Sequence, residues 1–83
     1  SRGLGDVYKR QLLYAKVKAV TGLTPNEFIR LVRLRKAAEY LAGNEYKINE
    51  ICYMVGFNSP SYFAKCFQNQ FGVLPKDFIN NTN

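Results

Sequence analysis

Four glycines, Gly22, Gly43, Gly56 and Gly72, each stand shortly ahead of a helix-start signal, and this punctuation cuts the chain into helical blocks. Between them apolar residues recur at spacings of three and four, and no strand-period segment or hairpin turn competes. The chain reads as all-α. Up to Gly22, residues Leu13, Val17 and Val20, joined by Leu12, Ala15 and Ala19, share one broad face of a helix running from Gln11. Thr24-Pro25-Asn26-Glu27 then writes a helix N-terminus. Thr24 is the cap, Pro25 takes the first helical position, where an N–H would lack an intrahelical partner in any case, and Glu27 completes a capping box. The long helix it opens carries Phe28, Leu31, Leu34, Ala37, Ala38 and Leu41 inward and Arg30, Arg33, Arg35 and Lys36 largely outward, and it runs to Gly43-Asn44. At ~1.5 Å per residue its roughly 17 residues cover about 25 Å, enough to separate two functional elements by the width of a small domain.

After the polar break at residues 43–47, Asn49 is the expected cap of a short helix with Ile48, Ile51, Cys52 and Val55 on one face, ended by Gly56. Asn58 or Ser59 caps the next helix, with Pro60 in its first turn and Phe63, Cys66, Phe67 and Phe71 turned to the core. Gly72 closes that helix, and Pro75 opens a last short one with Phe78 and Ile79. Two short helices joined by a glycine turn are how a helix-turn-helix is written: Gly56 permits the tight turn, and the second helix is free to enter a major groove. The same pattern describes an αα-hairpin of a small helical bundle with no nucleic-acid role, and by pattern alone both readings stay open.

Composition narrows the chemistry. Eighty-three residues hold one compact unit or a fragment of a larger one, and no large enzyme core. Twelve Lys plus Arg against six Asp plus Glu give a net charge of +6, which points to an anionic partner such as nucleic acid or a membrane surface. With no histidine, the common His-containing zinc sites and any Ser-His or Cys-His nucleophile pair are excluded. Cys52 and Cys66 each sit among apolar residues and read as reduced, buried thiols. The six carboxylates are scattered, Glu27 reads as a capping residue rather than a general base, and no glycine-rich phosphate loop is present. The expectation is therefore a non-enzymatic domain with no metal, no cofactor and no small-molecule substrate. The absence of an 18-residue apolar run and of a signal-peptide pattern sets the expected location as cytoplasmic. Residues 1–10 contain two glycines and develop no helical period, and they resemble translated adaptor or cloning sequence. Residues 1–11 are thus read as a non-native tail or an incomplete start, and residues 12–83 as the domain. Without the first 11 residues, nine basic and five acidic side chains leave +4.

Over about residues 13–79 the chain resembles the C-terminal DNA-binding domain of the AraC/XylS family of bacterial transcription regulators. The residues that carry the resemblance are Leu13-Tyr14, Val17-Lys18 and Thr21-Gly22, then Thr24 to Ile29 with Arg33-Leu34, Ala37-Ala38 and Leu41, and finally Ile48, Ile51, Val55-Gly56-Phe57, Ser59, Tyr62-Phe63, Phe67, Phe71-Gly72 and Pro75-Lys76. The Gly-Phe turn and the Phe-Gly-x-x-Pro ending are the specific part. The stretch Thr21 to Arg30 is most similar to the output domains of hybrid two-component sensor regulators. The resemblance implies a tandem helix-turn-helix fold of homeodomain-like units, joined by a linker helix at about residues 25–41, with the second unit at about residues 48–71. It also implies a truncated first unit, because the family places two helices ahead of the one containing Leu13. Marginal independent folding is the expected consequence.

The function implied is sequence-specific binding of double-stranded DNA as the output domain of a transcription activator in a two-component system. Upstream sensor or receiver domains, and a homodimer formed through regions outside this chain, are the further partners. A hybrid sensor could be membrane-anchored as a whole. The rivals are a helical protein-interaction module and a non-functional truncated fragment. On the second recognition helix Ser61, Ala64, Lys65 and Gln68 fall opposite Phe63, Cys66 and Phe67. Carried over by position, Ser61 and Lys65 are base readers, since Lys reaches guanine acceptors and Ser bonds to several bases. Tyr14 and Gln11 are the corresponding base readers on the first recognition helix. Lys18, Pro60, Tyr62, Gln68, Asn69 and Lys76 are the expected backbone contacts, the last near a helix N-terminus that attracts anions.

Overall fold

The computed structural model describes the backbone of residues 2–82 and the side chains of residues 7–80. The remainder, Ser1 of the expected tail included, lies outside the described residues. Five helices follow in order: α1 (Arg2–Thr21), α2 (Pro25–Gly43), α3 (Ile48–Met54), α4 (Pro60–Phe71) and α5 (Pro75–Thr82), and the described residues contain no strand. The chain divides into two compact units, residues 1–30 and 31–83.

In the first unit, α1 is one continuous helix of 20 residues. Its start corrects the reading of residues 1–10 as non-helical. Glycine inside a helix costs only about 1 kcal/mol relative to alanine, and with no proline in this stretch the turns propagate upstream from Gln11. Thr21 closes the helix by donating its hydroxyl to the Val17 carbonyl at 2.6 Å, while Gly22 N–H bonds the Lys18 carbonyl at 2.8 Å. The capping box forms as expected: Thr24 N–H donates to Glu27 Oε1 at 3.1 Å, and Glu27 N–H donates to Thr24 Oγ1 at 3.2 Å. The apolar face of α1 lies open, with Leu13 61% exposed, Val20 85% and Val17 half-buried, while Phe28, expected to face inward on α2, is a correction, since it is exposed. No described side chain of residues 7–30 is buried, because periodicity gathers apolar groups on one face but burial needs a second surface within the unit.

The second unit has such a surface. Leu34, Ala37 and Leu41 of α2, Ile51, Cys52 and Val55 of the α3 region, Phe57 of the turn and Phe63, Cys66 and Phe67 of α4 form one buried core. Phe63 and Phe67 are fully enclosed. Their rings continue a tilted series, with Phe57–Phe63 centroids 5.2 Å apart and Phe67–Phe71 4.6 Å, and Phe78 of α5 meets Phe67 edge-on at 5.5 Å. Such pairs add about 0.5 to 1.5 kcal/mol beyond area burial. Both cysteines are free and buried, and burial pushes the Cys52 thiol pKa up. The cap of α3 is a correction: it is Lys47, whose backbone N–H bonds Glu50 Oε1 at 3.1 Å, so Asn49 lies inside the helix.

Candidate nucleic-acid interface

The geometry of the site begins at the turn between α3 and α4. Gly56 N–H returns to the Tyr53 carbonyl at 3.1 Å and Phe57 N–H to the Cys52 carbonyl at 3.0 Å, the paired bonds of a Schellman ending. That ending needs a positive φ, and Gly56 has φ 103°. A Cβ there would stand 3.0 Å from Arg33 Nε and 3.2 Å from its Cζ, so the Arg33 guanidinium of α2 lies against the turn. The cation also sits near the C-terminal end of α3, where the helix dipole favours positive charge. Phe57 then drops into the core, and Ser59, the resolved choice between the two expected caps, accepts the Tyr62 N–H on its Oγ at 3.3 Å with Pro60 at the first helical position. Gly72, at φ 81°, closes α4.

These local events fix the rotation of α4. With Phe63, Cys66 and Phe67 buried, Ser61, Lys65 and Gln68 are all exposed, within a sector of about 60° at ~100° per residue. Asn69 and Tyr62, also exposed, both border that stripe on its Lys65 side. Tyr62 serves two environments: it is 50% exposed, and its ring tilts against Phe57 at 6.0 Å. Ala64 is half-buried because it turns toward a cleft of about 220 Å³ that also holds Pro60, Asn49, Leu74, Pro75 and Lys76. Pro60 and Lys76 are far apart in sequence, yet they share this cleft with the α5 N-terminus. Asn49, read from the sequence as a helix cap, instead lines this cleft, a placement that its local sequence did not signal.

In the first unit, Gln11, Tyr14 and Lys18 fall along one exposed stripe of α1, and Gln11 and Tyr14 line a shallow depression with Arg10. Lys18 lies close enough to Glu27 to act on its charge. Hydrogen bonds from Thr24 are the main cause that lowers the Glu27 carboxyl pKa below the ordinary range, with Lys18 and Arg30 adding to it. Among the described residues no three His, Cys, Asp or Glu side chains come together as a metal site.

The chain matches a family model described as a helix-turn-helix domain over residues 7–81. It is 49% identical over 71 residues to histidine kinase P4 of Formosa agariphila, covering 86% of this chain and 5% of that protein. It is 42% identical over 57 residues to the transcriptional activator AggR of Escherichia coli, covering 69% of this chain and 22% of the relative. To the HTH-type transcriptional activator RhaS of Mannheimia succiniciproducens it is 37% identical over 65 residues, with 78% and 24% covered. The chain thus spans less than a quarter of each of these relatives. Since the matched stretch runs through all five helices, the chain belongs to the AraC-type helix-turn-helix family of DNA-binding transcription-regulator domains.

Proposed function

We propose that this domain binds double-stranded DNA sequence-specifically, laying α4 in the major groove as the output element of a bacterial transcription activator. The observation that carries this reading is the two-sidedness of α4: a fully buried aromatic back and an exposed stripe of Ser61, Lys65 and Gln68. In this reading Ser61 and Lys65 meet base edges, while Gln68, Asn69, Tyr62, Pro60 and Lys76 position the helix on the phosphates and sugars. Tyr14, Gln11 and Lys18 do the same work on α1, Tyr14 and Gln11 at bases and Lys18 at the backbone. The names of AggR and RhaS support an activator, and the likeness to a histidine kinase supports a longer protein whose sensor or receiver region supplies the signal. Such a protein would act on cytoplasmic DNA, and a dimer formed outside this chain would place two domains on one operator.

Lys65→Ala tests the reading on a preferred duplex and a scrambled one, titrated between about 50 and 200 mM salt. Wild-type affinity should fall steeply with salt as counterions are released. The variant should lose ~1 to 3 kcal/mol on the preferred duplex and relax preference at one base position, with little change on scrambled DNA. An equal loss on both duplexes, with the salt slope reduced by about one, would make Lys65 a phosphate contact instead. Loss of neither affinity nor selectivity would remove Lys65 from the interface and weaken the assignment of α4 to the groove.

A further inference from the structure

A second concavity, of about 480 Å³, runs between α2 and the end of α3, and shares no residue with α4 or with the cleft that holds Pro60 and Lys76. Its wall is apolar: Val32, Tyr40 and Met54 line it, and Val32 and Met54 are 51% and 46% exposed. Its rim is cationic, built from Arg33, Arg35 and Lys36. The one carboxylate in the lining, Glu39, is paired with Lys36 at 3.5 Å, and among the described residues no ion pair involves Arg33 or Arg35. The Lys36 ammonium also stands 5.6 Å over the Tyr40 ring, which holds that stem along the apolar wall. The groove therefore combines an exposed apolar surface with a rim of net positive charge.

Duplex DNA would match the rim with phosphates but would leave Val32 and Met54 facing an ionic backbone. An amphipathic helix with apolar anchors and flanking carboxylates matches both features at once, in the helix-in-groove mode of recognition. We infer that this groove docks an acidic amphipathic helix of a partner protein. The inference is independent of which α4 residues read bases, because the groove leaves that stripe free.

The test titrates the full 83-residue chain into a fluorescent helical peptide with leucines at i, i+4 and i+7 and glutamates on the flanking positions. Two companion peptides carry Gln in place of Glu, or Ser in place of Leu. Saturable binding of the first peptide is expected, with both companions weaker. Arg35→Glu should weaken it about tenfold. Met54→Ser should weaken it through the apolar wall. Lys47→Glu, an exposed charge reversal outside the groove, should change it less than about twofold. Arg35→Gln repeats the charge arm should the reversal disturb α2, as read by circular dichroism. Equal binding of the Leu-to-Ser peptide would mean attraction by charge alone and would overturn the inference. So would a loss of duplex-DNA affinity with a reduced salt slope in Arg35→Glu, which would assign the groove to the nucleic-acid backbone.

Discussion

Helices α1 and α4 each present an exposed polar stripe, Gln11, Tyr14 and Lys18 on one and Ser61, Lys65 and Gln68 on the other, yet they differ in what stands behind it. Behind the α4 stripe, Phe63 and Phe67 are fully buried. On α1, Leu13 and Val20 remain in solvent. An exposed stripe acquires a fixed direction only when the opposite face is held by packing, since rotation of α4 about its axis would drag two aromatic rings out of a core. In the first unit no buried side chain opposes such a rotation of α1. The comparison separates having the residues for recognition from holding them in place.

The sharpest way to break this contrast is a pair of truncations. Phe67→Ala should cost about 3 to 5 kcal/mol, most of the stability of an ordinary small domain, and abolish cooperative unfolding in urea. Leu13→Ala, on the exposed face of α1, should stay within about 0.5 kcal/mol. Equal costs in the same urea titration would show that α1 is packed as firmly as α4.

A smaller effect is expected at the glycines of the second unit. Gly56→Val places a β-branched residue at φ 103° and should lower stability by about 1 to 3 kcal/mol through backbone strain. The nearest obstacle is the Arg33 side chain, which can swing away, so strain rather than collision sets the cost. Gly43→Ala, in the last turn of α2 with open space around it, should instead raise stability by about 0.4 to 1 kcal/mol. Thermal melts of the two variants should therefore move in opposite directions.

The smallest effect distinguishes two helix caps. Ser59→Ala removes an uncharged acceptor and should cost about 1 kcal/mol at any pH. The Thr24–Glu27 box is charged. Because folding lowers the Glu27 carboxyl pKa, its contribution is present above the ordinary carboxylate range and fades as pH falls through the lowered value. An NMR titration following the Thr24 amide should show its bond to Glu27 released only in that acid window, and Glu27→Gln should flatten the response. A Thr24 amide unaffected by acid would mean that the cap does not depend on the carboxylate charge.

Local signals were legible in the sequence with little loss. Thr24-Pro25, Ser59-Pro60 and Gly72 mark helix ends because capping bonds span only three or four residues and depend on side chains that lie within that span. The buried face of α4 was legible for a similar reason, since one helical period puts Phe63, Cys66 and Phe67 together. Asn49 was misread because a cap-competent residue stands one place away from the first helical position, and backbone propensity alone does not choose between neighbours. The sequence by itself thus determined which residues share a face and where the helices stop. Only the tertiary structure decided whether a face is covered, leaving Phe28 open while closing Phe63, because burial sums over surfaces brought together from elsewhere in the chain. It also decided the groove between Val32 and Met54 and the shared cleft of Asn49, Pro60 and Lys76, since neither joins residues within one helical period.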